Sequence, residues 1–255
     1  MLIVFDIGNT TTGVGLFQGK KLLADWKIKS DREKTADEYG FMLSGLLAHG
    51  RFSAQKIKGA IISSVVPPLT PVFQAACEKF FRVKPLVVGP GIKTGIPILY
   101  ENPAEVGSDR IVVAGAAFEK YGGPCLVVDF GTATTFDVIS REGDYLGGAI
   151  APGIATAAES MFYKTAMLPR IEFSQAKKAI GTDTISAMQS GLLFGYVGLV
   201  EGLVSRIKSE MSEQPLVVAT GGYARLMTSH TPVIDEINPE LTLTGIRLIY
   251  LMNRT

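Results

Sequence analysis

The sequence predicts an α/β protein made of one domain built twice, and two observations carry that prediction. The first is a repeated turn: Asp6-Ile-Gly-Asn-Thr-Thr-Thr12 and Asp129-Phe-Gly-Thr-Ala-Thr-Thr135 lie 123 residues apart, so that Asp6/Asp129, Gly8/Gly131, Thr11/Thr134 and Thr12/Thr135 coincide. The second is the order of elements, strands first and helices after, in both halves. Each turn follows a short apolar run, Leu2-Ile-Val-Phe5 or Leu126-Val-Val128, and leads into another. That is the pattern of strand, tight turn, strand. A carboxylate at the end of a buried strand, beside a turn rich in N–H and O–H donors, suits a metal-bound polyphosphate. One Asp-x-Gly turn occurs in ordinary hairpins; two at the heads of two half-chains predict a duplicated domain closing on a nucleotide.

In chain order, strands are expected at 2–6, 13–18 and 22–29, the last two joined by a Gln18-Gly-Lys20 turn, as an antiparallel meander. Tyr39, Met42, Leu43, Leu46 and Leu47 recur at helical spacing over 36–48, with Thr35 or Ala36 near the start. Gly59-Ala-Ile-Ile-Ser63 reads as a buried strand, 69–82 as helix and Leu86-Val-Val88 as strand. Gly95, Pro97 and Pro103 make 92–102 a loop or edge strand. A helix is expected from Pro103 to about Lys120, with proline in its first turn. The second half repeats the scheme with strands near 125–129, 134–139 and 145–150, helices at 153–163 and 183–210, a strand at 215–219, a glycine turn at 220–222, a short helix and a final helix at 241–252. The expected division is 1–115, with the first turn and the helix after Pro103, and 116–255, with the second turn.

A chain of 255 residues, 47% apolar with mean hydropathy +0.26, can build one large domain or two of moderate size. A net charge of +1 with no basic cluster longer than Lys177-Lys178 argues against nucleic-acid binding. Cys77 and Cys125 lack ligand-like spacing and read as buried thiols of a reducing compartment. The N-terminus shows no basic segment or cleavage site, and no apolar stretch is expected to approach a membrane span, so the expectation is a cytoplasmic protein without membrane contact.

Five motifs then occur together: Asp6-Ile-Gly-Asn-Thr10, Gly107-Ser-Asp-Arg110, Asp129-Phe-Gly-Thr-Ala-Thr134, Gly147-Gly-Ala-Ile-Ala-Pro-Gly153 and Thr220-Gly-Gly222. In order and spacing the chain resembles the type III pantothenate kinases over nearly its whole length. The resemblance implies the duplicated actin-like (ribonuclease H-like) ATPase fold of the acetate kinase/hsc70/actin superfamily, with mixed sheets flanked by helices. The two aspartate turns point to the superfamily; Ile98-Leu-Tyr-Glu-Asn-Pro followed by Gly-Ser-Asp-Arg110 is more particular. The family commonly carries alanine where this chain has Ser108, and sequence names no partner for the added hydroxyl.

Asp6, at a strand end, can hold Mg²⁺ through water against phosphates, or merely cap a hairpin. The turn Asp6, Ile7, Gly8, Asn9, Thr10, Thr11, Thr12 and Gly13 is the expected ATP-phosphate site, with Gly8 admitting the backbone and Asn9, Thr10 and Thr11 adding donors. Phosphoryl transfer needs an aligned acceptor oxygen and a place for its proton. The only histidines, His49 and His230, lie away from the motifs, so a carboxylate is the better base. Asp109 alone reads as a first-turn helix acid; the resemblance makes it the general base. Arg110 can bind a substrate carboxylate or bridge phosphate charge.

The resemblance further implies that Asp129 helps hold K⁺ or NH₄⁺, where sequence alone equally allows Mg²⁺. Thr132 and Thr134 offer hydroxyls and amides to the terminal phosphates, with plain strand propensity as the alternative for Thr134 and Thr135. By the resemblance, pantothenate contacts fall to Tyr100, Gly107, Ser108, Asp109, Arg110 and Thr184. Thr184 also lies in a natural N-cap sequence, Gly181-Thr-Asp-Thr184. Gly221 and Gly222 form the expected adenosine turn, which a plain tight turn explains as well. Ala187, Ser190, Gly191, Gly195, Gly198 and Gly202 stud the 184–210 helix. Glycines there cost about 1 kcal/mol each against alanine, so close packing should compensate, either in the core or across the dimer interface that the family has. The expected activity is ATP-dependent phosphorylation of pantothenate to 4′-phosphopantothenate, the first step toward coenzyme A. The alternatives are another small-alcohol or sugar kinase of this fold, or a non-catalytic actin-like or regulatory ATP-binding protein.

Overall fold

The computed structural model describes residues 1–171, 173 and 176–254, which form two compact units: residues 1–119 with 240–255, and residues 120–239. In the first unit, β1 (Leu2–Ile7), β2 (Thr11–Gln18) and β3 (Lys21–Lys29) form the antiparallel meander. β4 (Gly59–Ser64) and β5 (Leu86–Val87) add parallel strands on the other side of β1, giving the order β3-β2-β1-β4-β5.

Alternation along β1 sorts its side chains between two cores. Ile3, Phe5 and Ile7 face α1 (Ala36–His49) and α2 (Leu69–Ala76), meeting Tyr39, Leu43, Leu47 and Phe73. The Phe5 and Phe73 rings stack edge-to-face at 5.3 Å. Each such buried ring contributes roughly 1.5–3 kcal/mol. Val4 belongs instead to a cluster with Ile61, Val112 of α3 (Ser108–Tyr121) and Ile246 and Ile249 of α7 (Leu241–Met252). Asp6, two residues on, shares the face of Val4. Thr35 caps α1 with a full capping box, its Oγ1 accepting from Glu38 N.

The second unit repeats this plan. β6 (Cys125–Phe130), β7 (Ala133–Ile139) and β8 (Tyr145–Pro152) are antiparallel, and β9 (Leu216–Gly221) and β10 (Glu236–Ile237) run parallel to β6, in the order β8-β7-β6-β9-β10. Its core gathers Leu126, Val128, Phe130 and Phe136 with residues of α4 (Ile154–Lys164), α5 (Thr184–Glu210) and α6 (Ala224–Thr228). Two five-stranded sheets of one topology are the duplicated actin-like fold expected from sequence.

Four details differ from the sequence reading. The helix expected from Pro103 is a single 3₁₀ turn, Pro103–Glu105, and α3 starts only at Ser108, with Gly107 O accepting from Arg110 N and Ile111 N. β10 carried no strand signal. Helix α7 packs in the first unit although the division 1–115/116–255 put it in the second half. The physical reason is Gly245, where any Cβ would collide with the Val112 carbonyl, so α7 lies hard against α3. Finally, α5 is long and apolar enough to cross a membrane by length and composition, with mean hydropathy 1.3 in its best window. The expectation that no stretch approaches that length overlooked how its glycines dilute polarity without adding charge. In the structure its Leu192, Tyr196, Val200 and Val204 pack in the second core.

Candidate active site

In the first unit the turn after β1 is closed by a hydrogen bond from Gly8 N to Thr11 O at 3.1 Å. The end of β3 braces it. Ser30 N donates to Thr10 O at 3.0 Å, the Thr12 and Ser30 hydroxyls bond at 2.8 Å, and Arg32 Nη2 donates to Asn9 Oδ1 at 3.2 Å. Tyr39 pins the same loop, its hydroxyl accepting from Asp31 N at 2.7 Å. Asn9 and Thr10 are exposed, as a ligand-binding turn requires.

Asp109 stands in the first turn of α3. Gly107 is what lets it sit there, since a Cβ at Gly107 would lie 2.5 Å from Asp109 Oδ1. The same oxygen accepts from Arg110 N at 2.8 Å. Ser108, whose partner sequence left unnamed, accepts from Ser63 Oγ at 3.0 Å and donates to Ser64 O at 3.2 Å, tying the head of α3 to the end of β4. Ser63 is the Cα partner of Asp6, so these bonds bring Asp6 and the head of α3 into one neighbourhood.

The electrostatics follow. Burial, with the negative charge of Asp109 added and Lys27 opposing, raises Asp6 from 3.8 to about 7. Burial also raises the Asp109 carboxyl, against the lowering pull of the Arg110 N–H and guanidinium. Two carboxyls raised by burial, the charge of Asp109 bearing on Asp6, make a donor set that a divalent cation or an acceptor hydroxyl would relieve.

In the second unit Gly131 N donates to Ala133 O at 3.0 Å. Here the register differs from the sequence alignment. Ile7 pairs with Thr12 in the first hairpin, but Phe130 pairs with Thr134 in the second. The second turn is therefore one residue shorter, and the structural counterpart of Thr12 is Thr134, not Thr135. Both are fully buried, yet Thr134 Oγ1 has no hydrogen-bond partner among the described residues. Asp129 lies at the end of β6 between Thr135 and Thr220 on neighbouring strands. Gly221, with φ +90°, passes under it: a Cβ there would collide with Asp129 Oδ1. The exposed Gly222 follows.

Sequence reasoning missed the support of this second turn. Gly153 N and Thr156 Oγ1 both donate to Thr132 O, at 3.0 and 2.7 Å, so the start of α4 grips the turn. A Cβ at Gly153 would collide with the carbonyl oxygens of Gly131 and Thr132. The signal was present in Pro152-Gly153 just before a helix. Thr184 is not the cap of α5. Asp183 caps it, accepting from Ser186 N at 2.9 Å, which leaves the exposed Thr184 hydroxyl outside the capping box. Tyr100 is exposed in the loop before the 3₁₀ turn. Both cysteines are buried, with their thiols pushed up to about 12 by desolvation, in keeping with inert core residues.

Known proteins resemble this chain along most of its length. The profile of the family described as type III pantothenate kinase matches residues 2–206. A type III pantothenate kinase of Syntrophus aciditrophicus (strain SB) is 52% identical over 253 residues, covering 99% of this chain and all of the relative. Among solved structures, a conserved Campylobacter jejuni protein described as a Baf family transcriptional activator superposes with TM-score 0.63 at 20% identity, covering 98% of both chains. The inorganic polyphosphate/ATP-glucomannokinase of Arthrobacter sp. strain KM gives 0.52 at 16%, again over 98% of both. At those identities the two structures speak for the fold alone. The profile match and the half-identical relative go further: this chain belongs to the type III pantothenate kinase family.

Proposed function

We propose that the protein transfers the terminal phosphoryl group of ATP to the primary hydroxyl of pantothenate, giving 4′-phosphopantothenate and ADP, the entry step to coenzyme A. Beside family membership, the observation that carries this reading is Asp109, a desolvated carboxylate at the head of α3 in the neighbourhood of Asp6. A carboxylate with raised pKa is a stronger base for a hydroxyl proton than a solvated one. Asp109 accepts or orients that proton, and Gly107, Ser108 and Arg110 shape the ground around it. Arg110 is buried and carries the charge suited to the acceptor's carboxylate. Tyr100 and Thr184, both exposed, are further candidate contacts for the pantothenate amide and hydroxyls.

The residues Asp6 to Gly13 bind the phosphates of ATP, Thr132 adds its amide and hydroxyl, and Gly221 and Gly222 admit the adenosine. Mg²⁺ bound with ATP supplies charge neutralisation at the phosphates, and the Asp6 carboxylate suits it, since burial leaves that group in want of positive charge. A hard cation of this kind takes its other ligands from phosphate oxygens and water. Asp129, held over the bare backbone of Gly221 and flanked by Thr135 and Thr220, suits a monovalent cation, K⁺ or NH₄⁺.

The protein also acts as a homodimer through α5. Gly191, Gly195, Gly198 and Gly202 have nothing within 4 Å of a notional Cβ, and Ile185 and Phe194 on the same helix are exposed. The close packing that should offset these glycines is thus absent among the described residues, and sedimentation equilibrium would read a mass of one chain if the dimer is wrong. A cytoplasmic location fits these soluble substrates.

The deciding experiment is a mass-spectrometric product assay with ATP, Mg²⁺ and pantothenate, run with K⁺ or Na⁺ as the only monovalent cation. Phosphopantothenate that requires K⁺ is the expected result. Folded protein that binds ATP but makes no phosphopantothenate would overturn the acceptor, and a panel of sugars and small alcohols would then identify it.

A further inference from the structure

Lys27 belongs to none of the motifs, yet the register of the first sheet puts it in line with Asp6. Asp6 is the Cα partner of Gly13, and Gly13 is the Cα partner of Lys27, so all three stand on one face of adjacent strands. The middle position has no side chain, and a Cβ built there would sit 3.6 Å from that of Asp6 and 3.7 Å from Leu243 Cδ2 of α7. Nothing on β2 therefore stands between the Lys27 stem and the carboxylate at the turn. Lys27 is exposed and makes no hydrogen bond or ion pair among the described residues, while its charge is felt at Asp6. Lysines on an edge strand such as β3 also serve to blunt the edge, a role that Lys21 and Lys29 already fill at its two ends.

The duplicated fold supplies an internal comparison. In the second sheet the matching row runs from Asp129 to Thr135 to Ile150, so a hydroxyl side chain fills the middle and an apolar one takes the outer position. The cation and the bare middle position on β2 are particular to the first row. We propose that Lys27 is a donor-binding residue whose ammonium contacts the polyphosphate of the nucleotide bound at the first turn. Its three donors on a flexible stem act as a point charge toward phosphate oxygens. The assignment rests on the nucleotide reading of that turn and not on the identity of the acceptor.

The test is calorimetric titration of wild type, Lys27→Met and Lys27→Arg with Mg²⁺ and a non-hydrolysable ATP analogue, without pantothenate, alongside thermal unfolding of each. Loss of one charge-assisted hydrogen bond predicts about tenfold weaker binding for Lys27→Met. Its melting temperature should be unchanged, and Lys27→Arg should recover most of the affinity. In turnover the KM for ATP rises and that for pantothenate does not. Lys27→Met that binds as wild type does, or Lys27→Arg as weak as Lys27→Met, would overturn the assignment. Wild type that fails to bind the nucleotide would remove the first-turn reading and Lys27 with it. Wild type that binds nucleotide but does not phosphorylate pantothenate would fail only the acceptor, leaving Lys27 to be judged on the titration.

Discussion

The hairpin that ends β1 and the one that ends β6 each present an aspartate beside a glycine turn, but they are finished differently. The first has four residues between its closing pair, Ile7 and Thr12, and the second has three between Phe130 and Thr134. The first is braced from β3 through Ser30 and Arg32; the second is gripped by the start of α4 through Gly153 and Thr156. In the first row Asp6 has Gly13 and Ser63 as neighbours, with Asp109 close enough to raise its pKa; in the second, Asp129 lies between two threonines. Duplication kept the sheet and the carboxylate. It did not keep their surroundings.

The largest expected effect tests whether the base belongs to the first unit alone. Asp109→Asn should lower turnover by about 10²- to 10⁴-fold, the usual contribution of a positioned base, with an unchanged circular dichroism spectrum. Retention of most activity would take the base role away from Asp109.

The turn glycines should separate next. A Cβ on Gly8 would sit 3.0 Å from Thr11 O, whereas one on Gly131 would sit 3.4 Å from Ala133 O. Gly8→Ala should destabilise by about 1–3 kcal/mol through overpacking. Gly131→Ala should be neutral or stabilise by ~0.5 kcal/mol through the unfolded chain. Urea midpoints of the two variants would rank them.

A smaller contrast concerns the corresponding threonines. Thr12→Val breaks the bond to Ser30 Oγ and should cost about 1–2 kcal/mol, because a buried hydroxyl is left over. Thr134→Val removes a hydroxyl that has no partner among the described residues, so its stability should match wild type. Loss of ATP affinity in that stable variant would show that the hydroxyl's partner is the nucleotide.

A further effect is one of pH on the metal-free protein. Between 3.8 and about 7 the folded chain keeps a proton on Asp6 that the unfolded chain has lost. Its contribution to stability therefore falls as pH rises through that window and is level above it. Asp6→Asn should remove this slope and raise the melting temperature at pH 8 in the presence of a chelator. A wild-type profile with the same slope as the variant would mean that Asp6 titrates normally.

The duplication, the strand and helix order and the identity of both aspartates were legible because each rests on local chemistry: alternation, turn glycines and helical spacing read directly from neighbouring residues. What stayed hidden was set by partners distant in sequence. The alignment matched Thr11 with Thr134 because letters coincide, but a backbone hydrogen bond closing after three residues instead of four moved every later position by one. Ser108 found its partners in Ser63 and Ser64 more than forty residues away. Lys27 carried no motif at all; only the register across Gly13 aligned it with Asp6. The C-terminal helix likewise read as part of the second half, until Gly245 against Val112 drew it back to the first. Sequence alone determined the fold class, the two aspartate–glycine turns and the candidate base, because these depend on short-range backbone preference and on the carboxylate itself. Tertiary structure decided register, support and the pKa of Asp6, because burial and the approach of a second charge exist only once distant segments have packed.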